Sequence, residues 1–303
     1  MTTFRASVLF LAIALSCLGA HIALAEDADA KSAAILRARH DSLQNQLSRN
    51  QFQRPLYLDS GESSDSVTGD IYARIDDPFA VVRAALNNPG DWCDILMLHV
   101  NTKYCRAAPG GQAAVLNVSL GRKYDEPLEK AYRVDFAYRV AAQTANYLRV
   151  GLSADVGPFS TRDYRIVLEA IPLESGRTFI HFSYSYTYGM VGRLALQAYL
   201  GTIGRSKVGF AIVGTRPDGQ PLYIGGIRGL VERNTMRYYL AIEAFLGAVS
   251  APPQERLEQR LREWFAGNER YPQQLHEMEQ AEYLAMKRKE YSRQQSGLRA
   301  PPA

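Results

Sequence analysis

The chain has 303 residues, 47% of them apolar and 22% charged, and its formal net charge is +4 at pH 7. This length allows a sizeable core, in one large domain with helical extensions or in two small domains. The nearly neutral charge argues against a dedicated nucleic-acid binder.

Residues 1–25 have the composition of a secretory signal peptide. Arg5 supplies the basic region, Val8–Leu18 the apolar region, and Ala23-Leu24-Ala25 a small-residue cleavage site. A membrane anchor is the alternative, but the apolar run is short for a membrane-spanning helix. We therefore expect an exported protein, located in the periplasm, whose charge falls from +4 to +3 when these residues are removed.

Residues 26–66 are expected to form an N-terminal helix and a loop. The helix, over residues 29–50, is polar with a thin apolar seam that includes Ile35 and Leu43, and it would pack as an appendage or dock a partner. Pro55, Gly61 and several serines predict a loop over Arg54–Thr68.

Residues 67–250 are expected to form the main domain. Alternation predicts a first strand over Val67–Ile75, and two short helices follow at Phe79–Leu86 and Trp92–Leu98. Turn signals separate the further predicted strands, which are His99–Ala107, Ala113–Tyr124, Ala131–Val140, Tyr147–Ala154, Asp163–Pro172 and Arg177–Gly189.

Two cysteines, Cys93 and Cys105, remain after signal removal. An even pair in an oxidising compartment predicts one disulfide rather than a reactive thiol. Neither the cysteines nor the histidines show metal-ligand spacing, so we expect no metal site.

The last part of the main domain contains its longest apolar helix. A helix over Met190–Ile203 is placed to act as a lid, and two strands, Lys207–Thr215 and Pro221–Leu230, then flank a Pro-Asp-Gly turn. The helix Glu232–Val249 follows, with a wide apolar arc that includes Tyr238 and Tyr239.

This order of elements resembles the START-like helix-grip superfamily, which includes lipid-transfer domains, plant hormone and allergen proteins, and polyketide cyclases. The resemblance covers roughly Val67–Val249 and rests on topology, on the segment Asn88–Trp92 and on the helix Glu232–Val249. It implies an α+β fold in which a curved antiparallel sheet wraps around a long C-terminal helix and encloses an apolar cavity. Extra helices at both ends depart from the simple domain.

Five residues are the candidate ligand contacts: Tyr184, Tyr186, Arg228, Tyr239 and Glu243. The aromatic face that carries the two strand tyrosines is alternatively an ordinary core. A carboxylate on an apolar helix face should meet an arginine or a ligand, and Arg228, Arg165, Arg162 and Arg149 are the arginines considered for Glu243.

Other polar residues have structural interpretations. Glu232 is expected to favour the start of its helix through the macrodipole. The glycines around Arg228 lack the spacing of a dinucleotide loop, so no cofactor is expected. His99 and His181 lie on predicted strands, where each is a general base or a hydrogen-bonded core residue.

Residues 251–303 are expected to form a helical extension with a disordered end. Its second predicted helix, Pro272–Gln295, ends in basic residues that would contact an anionic membrane surface or form a solvated face. Residues Ser296–Ala303 should be disordered.

The main functional hypothesis is an exported protein that binds or transfers an apolar, lipid-like small molecule held between the sheet and the C-terminal helix. One alternative is a cyclase-like or aromatase-like enzyme that uses the same cavity, with Glu243 and His181 as the residues to test. Another is an envelope assembly protein whose helical ends are the working surface.

Overall fold

The computed structural model describes residues 27–110, 114–202, 204 and 207–297. The predicted signal peptide and most of the predicted disordered end lie outside these residues. The described part has the predicted α+β fold: eight antiparallel strands in the order β1-β2-β8-β7-β6-β5-β4-β3 form one sheet, and a separate two-stranded hairpin pairs β10 with β9.

The strands of the main sheet are β1 (Leu56–Glu62), β2 (Ser66–Ile75), β3 (Thr102–Ala108), β4 (Ala114–Leu120), β5 (Tyr132–Gln143), β6 (Leu148–Val156), β7 (Thr161–Pro172) and β8 (Thr178–Tyr188). The hairpin consists of β9 (Ile212–Thr215) and β10 (Pro221–Tyr223).

The helices begin with α1, over residues 27–42. The others are α2 (Gln44–Ser48), α3 (Phe79–Leu86), α4 (Pro89–Leu98), α5 (Met190–Gly201), α6 (Gly226–Gly247), α7 (Arg256–Glu269), α8 (Pro272–Leu275) and α9 (Gln280–Gln295). Two 3-10 turns, Leu128–Lys130 and Pro158–Ser160, connect strands of the sheet.

Helix α6 packs against the inner face of the sheet. Thr235 on α6 approaches β2 so closely that a Cβ added at Gly69 would lie 2.3 Å from its Oγ1 atom. The apolar residues of alternate strand positions, such as Ile71, Phe182 and Leu168, share one row of the register and are buried beneath the helix. Alternation with a period of two creates this buried face.

The C-terminal helices cover the opposite side of α6. The Trp264 indole of α7 donates to the Arg237 carbonyl oxygen of α6 at 3.0 Å and stacks on Tyr283 of α9 at 4.9 Å. Both aromatic residues belong to the main core. The extension is therefore continuous with the packing of the domain.

The N-terminal helix lies on the outer face of the sheet. Leu36 of α1 and Leu43, between α1 and α2, are buried there against Phe179 and Tyr147 in a second, smaller core. This contact explains why Phe179, on the opposite face of β8 from the tyrosines, is also fully buried.

Two predicted boundaries are wrong. The segment predicted as a loop over Arg54–Thr68 contains strand β1, which pairs with β2, so the sheet begins at Leu56 rather than Val67. The predicted strand over Pro221–Leu230 ends at Tyr223, and α6 begins at Gly226 instead of Glu232. A positive φ of 65° at Gly226 turns the chain directly from strand into helix.

The predicted disulfide is confirmed. It joins Cys93 of α4 to Cys105 of β3, with 5.2 Å between the two Cα atoms. The bond ties α4 to β3, the strand at one edge of the sheet.

Candidate functional site

Four tyrosines meet between the sheet and α6, and we call them the tyrosine cluster: Tyr164 of β7, Tyr184 and Tyr186 of β8, and Tyr238 of α6. The ring centroids of Tyr164 and Tyr186 lie 5.2 Å apart, and those of Tyr184 and Tyr238 lie 5.4 Å apart. Because β7 and β8 are antiparallel neighbours, the three strand tyrosines project from one inner face.

Most hydroxyl groups of the tyrosine cluster have no partner. The Tyr164 hydroxyl lies 2.6 Å from Thr161 Oγ1. In the described part of the chain, the hydroxyls of Tyr184, Tyr186 and Tyr238 form no hydrogen bond. Burial raises the pKa of Tyr184 well above its usual value and also raises the pKa of Tyr186 and of Tyr238. All three therefore remain neutral groups that can donate and accept.

Two further polar atoms near the cluster are unsatisfied among the described residues: the Tyr138 hydroxyl and Nε2 of His99, both buried. Tyr138 lies on the same cross-strand row as Tyr184, linked through Leu152 and Ile166. The His99 ring stacks on Tyr238, with centroids 4.7 Å apart. Unpaired buried polar groups are uncommon in folded proteins, so each of these two atoms is a position where a bound molecule could supply a partner.

The tautomer of His99 follows from its contacts. Its Nδ1 atom accepts from the backbone N–H of Asn101 at 3.2 Å. Burial, followed by the nearby positive charge of Arg237, lowers the pKa of His99 well below its ordinary value. The ring is therefore neutral with its proton on Nε2, which presents an unpaired N–H donor.

Helix α5 and the turn Pro158–Ser160 close one end of the cluster. A Cβ at Gly192 would lie 3.0 Å from the Ser160 carbonyl oxygen, so the helix rests directly on the turn. Leu196 of α5 is buried in the main core. The helix therefore covers this end of the inner face, and its role as a lid stays a prediction.

The five predicted ligand contacts do not converge. Tyr184 and Tyr186 belong to the tyrosine cluster, whereas Tyr239 and Glu243 project from α6 about 100° and 140° away from Tyr238. The Tyr239 hydroxyl donates to Oε1 of Glu243. Arg228, in the first turn of α6, donates from Nε to Ser60 Oγ on β1 at 2.7 Å.

The partner of Glu243 is Arg54, whose guanidinium contacts Oε1 of the carboxylate. None of the arginines considered from the sequence fills this role. Arg54 was missed because its segment has the composition of a loop, and only the pairing of β1 with β2 brings it to α6. Through this ion pair, Glu243 links the N-terminal segment to the helix.

The interpretation of Glu232 as a helix-start residue is wrong. Its side chain is fully buried and accepts from the backbone N–H groups of Phe210 and Ala211 at 2.5 and 2.8 Å. Ser60 Oγ also donates to it at 2.5 Å. Glu232 therefore fastens the segment before β9 to the sheet.

His181 lies on the outer face of the sheet, away from the tyrosine cluster. Its Nε2 is 2.8 Å from Asp70 Oδ1 and its Nδ1 is 2.9 Å from Glu169 Oε2. Burial opposes protonation, but the two carboxylates outweigh it and raise the pKa of His181 to about 8. This imidazole is occupied by structural contacts.

Three of the basic residues of α9 bind carboxylates of this chain. Lys287 is buried and lies 2.6 Å from Glu290. Arg288 bonds to Glu258, and Lys289 to Asp125. Within the described ranges, no helix is long and apolar enough to cross a membrane. No group of three or more potential metal ligands is found in that same part of the chain.

The chain has a helix-grip fold, defined by the strand order and by the long helix across the inner face of the sheet. No family model and no curated protein matches the sequence. Solved structures do: norcoclaurine synthase from Thalictrum flavum is 12% identical, with a TM-score of 0.34, over 48% of this chain and 91% of the synthase.

Two other solved structures are Ara h 8.0201 and human StAR-related lipid transfer protein 5. The first is 14% identical, with a TM-score of 0.37, over 60% of this chain and 99% of its own. The second is 9% identical, with a TM-score of 0.30, over 56% of this chain and 90% of its own. Because these scores are low, the strand order and the helix position define the fold here.

Proposed function

We propose that this protein binds a lipid-like small molecule, mainly apolar but carrying polar groups, between the tyrosine cluster and α6. The observation that carries the proposal is the set of unpaired hydroxyls on Tyr184, Tyr186 and Tyr238 in the described structure. A hydrogen bond contributes about 0.5–1.5 kcal/mol, so a ligand that pairs with these hydroxyls would gain this amount from each one.

Burial of the ligand's apolar part would drive binding, at about 25 cal/mol for each Å² removed from water. The tyrosine rings supply apolar contact along their faces, and their hydroxyls orient the polar groups of the ligand. Tyr184 and Tyr186 are only 6% and 3% exposed, so a ligand must displace side chains on entry. Movement of α5 would open the shortest route, because this helix covers that end of the cluster.

Two small pockets found among the described residues lie away from the tyrosine cluster, and neither is an alternative site for the proposed ligand. One lies between α4, α7 and α9 and is lined by Asp94, Arg260 and Tyr291, and another lies beside Trp264. Each has about 10 Å³ of free space, enough for about one water molecule.

The binding function is tested by removing the hydroxyls without removing the rings. In a variant with Tyr184→Phe, Tyr186→Phe and Tyr238→Phe, we expect binding of a pyrene-labelled fatty acid to weaken at least about tenfold, because up to three hydrogen bonds are lost. The free energy of unfolding should stay the same or increase, since the hydroxyls are unpaired in the free protein. Fluorescence titration and urea unfolding measure the two quantities.

Tyr164→Phe is the matched control. It removes a hydroxyl from the same cluster, but one already bound to Thr161, so it should lower stability and leave affinity nearly unchanged. Mass spectrometry of organic extracts from the purified native protein provides an independent check. Absence of any co-purifying small molecule, together with no binding of the labelled fatty acid, would refute the proposal.

The enzyme alternative has less support from the described residues. Both residues selected to test it, Glu243 and His181, are held in ion pairs outside the tyrosine cluster. The assembly alternative requires free helical ends, whereas Trp264 and Tyr283 are buried in the main core. Export to the periplasm belongs to the proposal and is tested by N-terminal sequencing of the native protein, with Glu26 expected as the first residue.

A further inference from the structure

Five large apolar side chains are exposed at one end of the molecule, and we call them the apolar tip: Val156, Phe159, Met190, Val191 and Leu194. Their exposed fractions are 62%, 58%, 82%, 70% and 62%. Exposed apolar residues scattered singly are normal on protein surfaces, whereas a contiguous group marks an interaction site.

The register shows that the apolar tip is contiguous. Val156 ends β6 and pairs with Arg162 at the start of β7. Thr161, next to Arg162, pairs with Tyr188, and α5 begins two residues later at Met190. The close approach of Gly192 to the carbonyl oxygens of Phe159 and Ser160, at 3.2 and 3.0 Å from its would-be Cβ, joins the helix to the turn.

Arginines flank the apolar tip. Arg193 is the only charged residue of α5, and it donates to the Ser64 carbonyl oxygen at 3.2 Å. Arg165, on the outer face of β7, is exposed and forms no ion pair with the described residues. Arg162 is 59% exposed, and its nearest carboxylate, Asp163, lies 3.8 Å away and also accepts from Thr187.

We infer that the apolar tip inserts into the interfacial layer of an anionic lipid bilayer, with Arg162, Arg165 and Arg193 facing the lipid phosphates. A bilayer interface accepts apolar side chains that project from a helix turn and a loop without requiring a complementary shape. Guanidinium groups bind phosphate with two parallel hydrogen bonds, and anionic lipids attract them over a Debye length. The inference stands independently of ligand binding, although α5 would then place the proposed lid at the membrane.

Co-sedimentation of the full chain with lipid vesicles tests this surface without any ligand. One set of vesicles contains phosphatidylcholine alone, and a second contains about 30% phosphatidylglycerol, to provide the negative surface potential. We expect binding to the anionic vesicles to be roughly 100-fold stronger, since each surface cation contributes about a factor of five.

Two variants separate the apolar and charged contributions. Met190→Ser with Val191→Ser and Leu194→Ser should weaken binding to anionic vesicles at least about tenfold. Arg162→Gln with Arg165→Gln and Arg193→Gln should remove the preference for anionic vesicles.

The matched control is Ile35→Ser with Ile212→Ser and Val213→Ser. These side chains, on α1 and β9, are 64%, 53% and 55% exposed, so the control also removes three exposed apolar side chains, away from the tip. Control binding should equal that of the unmodified chain. Three results would overturn the inference: no binding to anionic vesicles, equal weakening in the control, or concentration-dependent self-association that only the tip variant abolishes.

Discussion

His181 provides a direct test of how the outer face of the sheet is held together. Its two ring nitrogens face two different carboxylates, at 2.8 Å from Asp70 and 2.9 Å from Glu169. Only the doubly protonated ring can donate to both. The ring also stacks on Tyr72 at 4.4 Å, and its side chain is only 15% exposed. The charge is therefore little screened by solvent.

The magnitude follows from the pKa of His181, which rises from 6.5 to about 8 on folding. Raising the pKa from 6.5 to about 8 corresponds to about 2 kcal/mol of stability. Because the folded pKa is higher than the unfolded one, this contribution is complete below about pH 6.5. It decreases as the pH rises through about 8, where the folded protein also loses the proton.

The assay compares urea unfolding of the unmodified chain with that of His181→Gln at several pH values. Subtracting the two free energies cancels the titration of all other groups that behave alike in both proteins. We expect the stability advantage of histidine over glutamine to fall by about 2 kcal/mol between about pH 6 and pH 9.

Asp70→Asn is the companion variant, since it removes one of the two carboxylates and should reduce the pH dependence. A difference between histidine and glutamine that is constant with pH, or that increases with pH, would refute the reasoning.

Three further tests concern the packing of α6 on β2, the disulfide and the buried carboxylate of Glu232. Gly69→Ala should destabilise the fold by about 1–3 kcal/mol in urea unfolding because its Cβ would overlap Thr235, and Thr235→Ala in the same chain should recover part of the loss. Replacing Cys93 and Cys105 by serine should lower the free energy of unfolding by about 3 kcal/mol, as expected for opening a loop of 12 residues' separation. Glu232→Gln should lower the free energy of unfolding by about 3 kcal/mol, since hydrogen bonds to a charged group are worth about 1.5–3 kcal/mol each. Limited proteolysis should also cleave the β9–β10 hairpin faster in this variant.

Local patterns predicted most of the sheet. The helix Phe79–Leu86 was predicted with its observed bounds, and strands β5 to β8 were predicted within three residues at either end. These elements alternate or repeat regularly and end at turn residues, so their signals are contained in the local sequence.

Strand β1 gave no such signal. Serine is typical of loops, and Ser60 faces inward in β1 because it donates to the buried carboxylate of Glu232, which lies 172 positions later in the sequence. The beginning of α6 was hidden for a similar reason. Glycines have low helix propensity, and packing against the sheet stabilises the first turn at Gly226 despite its composition.

The candidate site was predicted in part. Alternation along β8 identified Tyr184 and Tyr186, but the helical arc of α6 contains both Tyr238 and Tyr239 and does not reveal which one faces the strands. In the structure, Tyr238 faces them and Tyr239 turns toward Glu243. The unpaired state of a hydroxyl depends on all of its neighbours in space, so the property that supports binding has no sequence signal.

The N-terminal and C-terminal segments each contact one side of α6, and the side that carries Tyr238 is left for a ligand. Arg54, from the N-terminal segment, neutralises Glu243 on one side of the helix. Glu277, from the C-terminal segment, receives the Arg237 guanidinium at 2.5 Å on another. Both carboxylate contacts would be lost in a core domain cut at the predicted boundaries, and losing one partner of a buried or partly buried ion pair is destabilising. The appended helices therefore belong to the folding unit, and the side of α6 that carries Tyr238 faces the strand tyrosines rather than either terminal segment.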